Sequence, residues 1–292
     1  MIRGGQMTAA LYENPIIRAL FTADPSAHVW TDGKLWLYPS HDRDNAQWWD
    51  MDDWHVFSSP DLVAWTDHGV CLSLADIPYA KKFAWAPDCA YRNGKYYFYF
   101  PVSSDAEFGN TNCIGVGVGD LPQGPFVPQP KPLIIGYPRG FDPAVFIDDD
   151  GTAYLYCGQR TACVARLKAS MTELDEELRT IAGVDRFFEG IWMSKRAGVY
   201  YLLYSVGQEL WYAMGDNPYG PFECKGAVLH ATGCDTTHGS FVEFKDRWYL
   251  FYHTCEFSHD NFKRSVCCDP IVFNADGTVR CVRRSAGTQD CR

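Results

Sequence analysis

Three acidic residues stand at matching positions of segments that otherwise resemble one another. Asp24, Asp142 and Glu189 each open a segment that continues through a mostly apolar stretch, reaches a turn-like pair eight residues later and then enters an aromatic run. Two carboxyl groups on either side of a glycosidic bond can break it, because a protonated one gives its proton to the leaving oxygen while an ionised one activates water. A third carboxylate can raise the pKa of the acid and hold a substrate hydroxyl. These residue types suit carbohydrate hydrolysis if the fold brings them together.

Five such segments follow one another along the chain. They begin at Asp24, Trp85, Asp142, Glu189 and His238, and the intervals between them are 61, 57, 47 and 49 residues. Asp-Gly and Asn-Gly pairs within three of them accept the positive φ of a tight hairpin turn, and an aromatic run follows each turn. Periods of this size are typical of propeller blades. The pattern predicts an all-β, five-bladed β-propeller in which each blade is a four-stranded antiparallel sheet.

Some local features are less regular than the rest of the pattern. Blades four and five have Ala197-Gly198 and Asp246-Arg247 at the turn position, where the other blades have Asp-Gly or Asn-Gly. A short helix is expected over residues 170–178, because Ser170 and Glu173 fit a capping box. This helix would be a connector without a chemical role.

The composition favours one globular domain over residues 1–292. Of these 292 residues 47% are apolar and 15% aromatic, and all-β architectures of this length are commonly one domain. The net charge of −10 argues against a nucleic-acid partner. No apolar run approaches the roughly 18 residues that cross a bilayer, and the first residues lack an apolar signal core. We therefore expect a cytoplasmic protein without a membrane partner.

The twelve cysteines include no C-x-x-C pair. Several fall in predicted strands, among them Cys89, Cys157, Cys267 and Cys281. Scattered cysteines in a large core are more typical of buried thiols than of a disulfide framework, and their spacing does not indicate a zinc site.

The propeller architecture predicts where the acids lie. The innermost strand of each blade runs beside the central channel, so the first positions of the five segments should gather around one axis at one face. Asp24, Asp142 and Glu189 would then converge. The alternative is that the two Asp-Pro pairs are only turn formers, because Asp favours turns and Pro fixes φ. Asp88 is out of register with the other acids, and a structural role is preferred for it.

The motifs together resemble glycoside hydrolase family 43. The resemblance spans roughly residues 14–284 and rests on Asp-Pro-Ser at 24–26, Trp-Ala-Pro-Asp at 85–88, Phe-Asp-Pro at 141–143, Glu-Gly at 189–190 and His-Gly at 238–239. Each motif alone is weak, but their order and spacing together are fairly specific. The resemblance implies a five-bladed propeller acting on arabinose- and xylose-containing polysaccharides.

The resemblance also implies a role for each acid. Asp24 would be the general base, Glu189 the general acid, and Asp142 the residue that tunes the pKa of the acid and orients it. An inverting mechanism needs room for water, which predicts about 6.5–9.5 Å between the carboxyl groups of Asp24 and Glu189. Arg264 matches an arginine that reaches the sugar in the innermost subsite, with a surface charge on an outer strand as the alternative.

Aromatic residues near the acids are candidates for sugar binding. Trp85 and Phe141 adjoin the acidic positions, where a flat ring can stack on the apolar face of a pentose. Trp192 is a further substrate-binding candidate, with a core position as the alternative. Segment 41–54 holds five acids and three tryptophans and is expected to form a pocket wall. Its acids could alternatively bind a surface cation.

His238 is the candidate metal ligand. In many members of the resembled family the matching histidine binds a hydrated calcium ion beneath the pocket, directly or through water. Calcium prefers several oxygen ligands, so a lone histidine is a poor calcium site by its own chemistry. Ca²⁺ is therefore a candidate cofactor. The alternative is that His238 binds no ion and is satisfied by hydrogen bonds. No other cofactor is expected.

These features predict an exo-acting, inverting β-xylosidase with α-L-arabinofuranosidase activity on pentose-containing oligosaccharides from hemicellulose. An arabinanase, an exo-galactanase and a sugar-binding propeller without catalysis stay open as alternatives. Retaining, invertase-like propellers typically carry Asn-Asp-Pro-Asn and Arg-Asp-Pro, whereas this chain has Ala-Asp-Pro-Ser at 23–26 and Phe-Asp-Pro at 141–143. The C-terminal β-sandwich of several relatives is expected to be absent, and the oligomeric state is not predicted.

Overall fold

The computed structural model describes residues 12–285, which form five antiparallel sheets in chain order. Blade one contains β1 (Phe21–Val29), β2 (Leu35–Asp42), β3 (Asp53–Ser59) and β4 (Thr66–Ser73). Blade two contains β5 (Ala80–Lys82), β6 (Asp88–Arg92), β7 (Lys95–Ser104), β8 (Asn112–Gly119), β9 (Val127–Pro128) and β10 (Ile134–Ile135). Blade three contains β11 (Ala144–Ile147), β12 (Ala153–Cys157), β13 (Cys163–Arg166) and β14 (Arg179–Thr180). Blade four contains β15 (Glu189–Arg196), β16 (Val199–Val206), β17 (Glu209–Gly215) and β18 (Glu223–Leu229). Blade five contains β19 (Gly239–Phe244), β20 (Arg247–Thr254) and β21 (Ser265–Pro270), and two short 3-10 helices, Leu74–Asp76 and Ala106–Phe108, lie in loops.

The predicted five-bladed propeller is confirmed, with two differences in strand number. Blades one, three and four have the predicted four strands. Blade two has six, because β7 and β8 are long enough for each to pair with two short strands along one edge. Blade five has three strands.

The open edge of blade five is covered by the chain that precedes β1. Ile16 N donates to Val266 O at 2.9 Å, so this segment runs beside β21. The side chain of Asn14 donates to Cys268 O at 3.1 Å and accepts from Cys268 N at 2.9 Å. The segment makes separate hydrogen bonds and no continuous ladder, which is why it does not count as a fourth strand.

Apolar side chains fill the spaces between neighbouring blades. Tyr99 and Leu155 belong to the cluster between blades two and three, and Leu37 and Phe251 belong to the cluster between blades one and five. Aromatic rings bury large areas and so contribute strongly to such interfaces. Because blade five packs on blade one as blade three packs on blade two, the ring of blades is closed.

The innermost hairpins turn where the sequence predicts, with one exception. Asn93-Gly94 has φ values of 53° and 79°, as a tight primed turn requires. Ala197-Gly198, which lacks the usual first residue, has φ values of 51° and 81° and forms the same kind of turn. In blade five the turn pair is Lys245-Asp246, with φ values of 51° and 61°, one residue before the predicted pair.

The predicted helix over residues 170–178 is wrong. Residues 169–170 form a turn and residues 171–173 a bend, and Leu174 makes an isolated bridge with Leu167. Ser170 Oγ accepts from Thr172 N at 3.4 Å, two residues on, which closes a local turn in place of a helix cap. Local hydrogen bonding therefore competes successfully with the two helical turns that this segment could form.

The eleven cysteines among residues 12–285 are free thiols, and nine of them are buried, which agrees with the predicted buried thiols. Of the other two, Cys224 is partly buried, whereas Cys281 is exposed and lies outside the strands, contrary to the prediction. None of the helices within residues 12–285 has the length and apolar character needed to cross a membrane.

Replacing Asn14 by alanine should lower the free energy of unfolding by about 2–4 kcal/mol, because two buried backbone groups of Cys268 would lose their partners. Urea unfolding followed by tryptophan fluorescence would measure this loss. Glu13→Ala is the matched control, since Glu13 pairs with Arg18 at the surface and such pairs contribute little. A loss no larger than that of the control would contradict the role of Asn14 in closing blade five.

Candidate active site

The three acids lie in or next to the first half of innermost strands, where the backbone departs from regular strand geometry. Asp24 in β1 has φ of 50°, and Asp142, just before β11, has φ of 45°. Both lie in the left-handed region, which Asp tolerates better than most residues. In blade four the left-handed residue is Gly190, with φ of 61°, and a Cβ added there would lie 2.4 Å from His238 Cδ2. Strand register also shifts at these points in blades one and four.

A narrow cavity follows the propeller axis beneath the acids. Its wall takes residues from all five blades: Pro25, Pro87, Pro143, Ile191 and Gly239. Each of these follows closely after the first position of its repeated segment. The five segments therefore meet around one axis.

The imidazole of His238 contacts all three carboxylates. Its Nδ1 lies 3.2 Å from Asp24 Oδ1, and its Nε2 lies 3.3 Å from Glu189 Oε1 and 3.5 Å from Asp142 Oδ2. All four side chains are buried. Asp24 and Glu189 thus face opposite nitrogens of one ring. The structure brings the acids together, and the 6.5–9.5 Å separation of the two carboxyl groups stays a prediction.

Asp24 receives donors on both carboxylate oxygens. Arg264 Nη1 donates to Oδ1 at 3.0 Å, and Ser40 Oγ donates to Oδ2 at 2.6 Å. Burial raises the pKa of Asp24, but the charges of Arg264 and His238 and the Ser40 hydroxyl outweigh it, and the pKa falls to about 2. Asp24 is therefore ionised at neutral pH, as a general base must be.

Arg264 is buried beside this base, so the surface alternative does not apply to it. Its side chain is 2% exposed and binds Asp42 with two parallel bonds, from Nε to Oδ2 at 2.9 Å and from Nη2 to Oδ1 at 2.8 Å. Burial lowers the pKa of the guanidinium, but Asp24 and Asp42 raise it overall above its ordinary value. Arg264 is a fixed positive charge that lines the pocket and neutralises the base.

The other two acids form the second half of the site. Gly190 N donates to Asp142 Oδ2 at 3.1 Å, and Gln159 Nε2 donates to Glu189 Oε2 at 2.6 Å. Burial raises the pKa of Asp142 well above its ordinary value, and the charges of Glu189 and Asp24 raise it further. The pKa of Asp142 is therefore shifted in the opposite direction to that of Asp24, which lies across His238. Environments that separate pKa values in this way are typical of acid and base pairs.

The two histidines of the site have opposite pKa shifts. Burial lowers the pKa of His238, but the three surrounding carboxylates outweigh it and raise the pKa to about 9. Burial and the charge of Arg264 hold the pKa of His253 well below its ordinary value. His238 is therefore an imidazolium at neutral pH. His253 is neutral, and its Nδ1 accepts from Asp24 N at 2.9 Å.

A pocket of about 380 Å³ contains the acids in its lining. Trp85 and Phe141 line it, and Trp48 and Trp49 from the β2–β3 loop complete an aromatic wall. The ring centroid of Trp85 lies 5.3 Å from that of Phe141 and 5.9 Å from that of Trp48. The Trp85 indole N–H donates to Trp49 O at 2.8 Å. Segment 41–54 therefore contributes to a pocket wall, as its sequence indicates.

Trp192 and Asp88 lie outside this pocket. Trp192 is 7% exposed, lines the narrow cavity beneath the acids and donates its indole N–H to Phe241 O at 3.1 Å. This placement supports the core alternative for Trp192 and not the predicted substrate contact. Asp88 is buried and accepts from Cys89 N at 2.7 Å and Val145 N at 2.6 Å, so it links blade two to blade three.

Four supporting residues were not predicted: Ser40, Asp42, Gln159 and His253. Ser40 and Asp42 alternate on β2, so they share a face, and Ser40 pairs with Ala23 next to the base. His253 lies on the second strand of blade five, and Gln159 follows the second strand of blade three. The sequence feature that could have identified these residues is a polar side chain at or near the end of the aromatic second strand of a blade.

Asp142, Glu189 and His238 are also a group that could hold a metal ion, because their ligand atoms lie within 4.8 Å of one another. Two carboxylates suit a hard divalent cation such as Ca²⁺, although water would have to supply the rest of its six to eight oxygen ligands. The imidazole could join only after losing its proton. The residues fit a hydrated calcium ion on these terms.

Comparisons with known proteins extend over nearly the whole chain. The model of glycosyl hydrolases family 43 matches residues 12–279. Xylosidase/arabinosidase 43A of Humicola insolens is 41% identical, over 91% of this chain and 98% of the relative. One similar structure is that of a GH43 β-xylosidase/α-arabinofuranosidase from a compost microbial metagenome, solved with xylotriose in a calcium-free form. It has a TM-score of 0.86 and 36% sequence identity, and the match covers 93% of this chain and 97% of that one. A GH43_1 enzyme from Xanthomonas citri complexed with xylotriose has a TM-score of 0.86 at 39% identity, over 91% and 92%.

The family match, the shared propeller and the buried acids around His238 agree with one another. The match includes every residue of the cluster, from Asp24 to Arg264. This chain is a glycoside hydrolase and belongs to glycosyl hydrolase family 43.

Proposed function

We propose that the enzyme is an inverting, exo-acting β-xylosidase that also has α-L-arabinofuranosidase activity. The observation that carries the proposal is the arrangement of the three acids around His238 in a pocket with an aromatic wall, with the pKa of Asp24 lowered and that of Asp142 raised. The relatives indicate the sugar, since one is a xylosidase/arabinosidase and two similar structures hold xylotriose. Oligosaccharides that end in xylose or arabinofuranose are the proposed substrates.

The proposed reaction delivers one proton and removes another. Glu189 gives its proton to the glycosidic oxygen while the bond from that oxygen to the anomeric carbon breaks. A water molecule attacks the anomeric carbon from the opposite face, and Asp24 takes a proton from it. The sugar therefore keeps the hydroxyl of the water, and the leaving group keeps the proton of Glu189. Direct attack by water inverts the anomeric configuration.

Three neighbours hold the reacting groups in place. Gln159 contacts one oxygen of Glu189 and His238 contacts the other, so the plane of this carboxyl group is fixed. Arg264 keeps Asp24 ionised through a charge-assisted hydrogen bond. Positioning of this kind contributes to the rate because the reacting groups need no rearrangement when the sugar binds.

The composition of the pocket supports activity on two pentoses. Aromatic rings form much of its wall, and polar side chains outside the buried cluster are few: Asn112, Gln159, Asp235 and Thr236. A stacking surface discriminates weakly between rings of similar size, whereas hydrogen bonds to individual hydroxyls discriminate strongly. Xylopyranose and arabinofuranose present comparable hydroxyls, so both are proposed to enter.

We further propose that Ca²⁺ binds to His238 and reaches Asp142 and Glu189 through its water ligands, which leaves the proton of Glu189 in place. Negative charge exceeds positive charge among the buried groups, which favours a cation. When bound, the ion would supply the positive charge that the His238 imidazolium otherwise supplies. The calcium-free form of a similar structure is consistent with a site that can lose its metal.

A cytoplasmic location is likewise a proposal. It is supported by the free thiols among the described residues, because thiols persist in reducing compartments. The substrates would then be oligosaccharides that the cell has imported.

Glu189→Gln should lower kcat/KM for xylobiose by about 10²–10⁴-fold, because proton delivery to the leaving oxygen is lost. The loss should be much smaller for 2,4-dinitrophenyl β-D-xyloside, whose leaving group needs no proton. Asp24→Asn should lower kcat/KM for the two substrates alike, because water must be activated with either one. Glu223→Gln, at an exposed position, is the control. Equal losses of Glu189→Gln on both substrates would rule out Glu189 as the proton donor.

The xylose first released from p-nitrophenyl β-D-xyloside, which yields one sugar per cleavage, should be the α-anomer, because direct attack of water inverts the β-linkage. Proton NMR during the first minutes, before mutarotation, distinguishes the two anomers. Early appearance of β-xylose would instead indicate a covalent intermediate and overturn the inverting mechanism.

The affinity for Ca²⁺ should rise about tenfold per pH unit between pH 6 and 8, because an ion on His238 must displace the proton that its pKa of about 9 retains. Isothermal titration calorimetry of chelator-treated protein at three pH values measures this slope. His238→Gln should bind Ca²⁺ with little pH dependence over this range. A flat profile for the unaltered protein would show that His238 is not a direct ligand.

A further inference from the structure

We infer that blade one carries a second metal site, formed by His41, Asp53 and His55 and suited to a nitrogen-preferring transition metal such as Zn²⁺. The ligand atoms of these three residues lie within 4.8 Å of one another. The site lies in the strands of one blade, apart from the acids at the channel. The inference does not depend on the proposed sugar specificity.

The strand register brings the three residues together. β2 and β3 pair with Leu35 opposite Ser59 and Leu37 opposite Phe57, and the same register places His41 opposite Asp53. Asp53 and His55 are two residues apart on β3, so they share a face of the sheet. The ring centroids of the two histidines are 4.7 Å apart. The donor set is therefore presented by two paired strands and does not need a loop to fold around an ion.

Each imidazole already contacts a carboxylate through Nδ1. His41 Nδ1 lies 2.7 Å from Asp53 Oδ1, and His55 Nδ1 lies 3.0 Å from Asp67 Oδ1 on β4. A histidine that binds a metal usually gives its other ring N–H to a carboxylate, which fixes the ring and its tautomer. Asp67 holds His55 in this manner and leaves Nε2 with a free lone pair. His55 is thus prepared to act as a ligand.

The donor types select the class of metal. Two imidazoles and one carboxylate are a typical set for Zn²⁺, Co²⁺, Ni²⁺ or Cu²⁺, whereas Ca²⁺ and Mg²⁺ prefer oxygen alone. His41, Asp53 and His55 have side chains that are 20%, 26% and 15% exposed, so an ion and a water ligand can reach them. The charges of Asp42 and Asp44 also act on His41 and favour a cation there.

The position of the site suggests what the ion would do. His41 lies near the end of β2 and Asp53 at the start of β3, so an ion would join the two ends of loop 43–52. This loop places Trp48 and Trp49 in the pocket lining. An ion there would stabilise the aromatic wall while leaving the acids untouched.

Zn²⁺ titration by calorimetry tests the site in the His238→Gln background, which removes the histidine of the active-site group. We expect one Zn²⁺ to bind, with affinity lowered about 100-fold or more by His41→Gln or His55→Gln. Asp67→Asn should lower it by about 10–100-fold, because it only holds the ring of His55. His230→Gln is the control, since His230 is 73% exposed and also contacts a carboxylate. Millimolar Ca²⁺ should not displace the zinc.

Unchanged zinc affinity in both His41→Gln and His55→Gln, or displacement by Ca²⁺, would overturn the proposal. Circular dichroism establishes that each variant is folded. Co²⁺ added to the His238→Gln protein gives a second measurement that leaves the cluster intact, because nitrogen ligands intensify the visible absorption of Co²⁺ above that of the hydrated ion. A spectrum identical to that of aqueous Co²⁺ would also overturn the proposal.

Discussion

The balance of charge beneath the pocket is the constraint on which the rest of the site depends. Four carboxylates are buried there, on Asp24, Asp42, Asp142 and Glu189, and two cations accompany them, on Arg264 and His238. An ionised carboxylate is costly to bury unless it is paired. Arg264 lies between Asp24 and Asp42, so the charge that is not neutralised falls on Asp142 and Glu189. Burial and the neighbouring carboxylates accordingly raise the pKa of Asp142, which lies beside the proposed acid Glu189.

The same arginine connects the chemistry to the closure of the fold. Arg264 O accepts from Thr22 N at 2.9 Å, and Arg264 N donates to Asp42 Oδ2 at 2.8 Å. Blade five is therefore joined to blade one at the residue that also holds the base. Lysine could not replace the two parallel bonds to Asp42, because a compact ammonium lacks the planar fork of a guanidinium. Loss of Arg264 would thus affect the ring of blades as well as Asp24.

The sequence predicted the residues that the repeat aligns and missed those that depend on strand pairing. Asp24, Asp142, Glu189 and His238 occupy first positions of repeated segments, so one periodicity was enough to bring them to one axis. Gln159 and the second-strand residues contact them across strands, and the sequence does not show which polar residue will face which acid. The β-bulges at the acids add to this difficulty, since a shift of register by one residue changes which side chains face the channel.

Trp192 shows the effect of such a shift. It lies three residues after Glu189, and strand pairing is irregular between the two. Its ring turns into the core and its indole N–H finds a carbonyl in blade five. The first hairpin of blade five also turns one residue earlier than predicted, because Lys245 and Asp246 have left-handed φ values. Propensity alone gives no reason for either departure, and for Trp192 the bond to blade five supplies one.

The acids and part of the aromatic wall are held by different parts of the molecule. The acids depend on innermost strands and on His238, whereas Trp48 and Trp49 of the wall depend on the β2–β3 loop. Within that loop Trp49 accepts from the Trp85 indole and packs on Phe262 with ring centroids 4.9 Å apart, so it reaches from blade two to blade five. Changes in the loop can therefore alter the shape of the pocket without disturbing the buried charges.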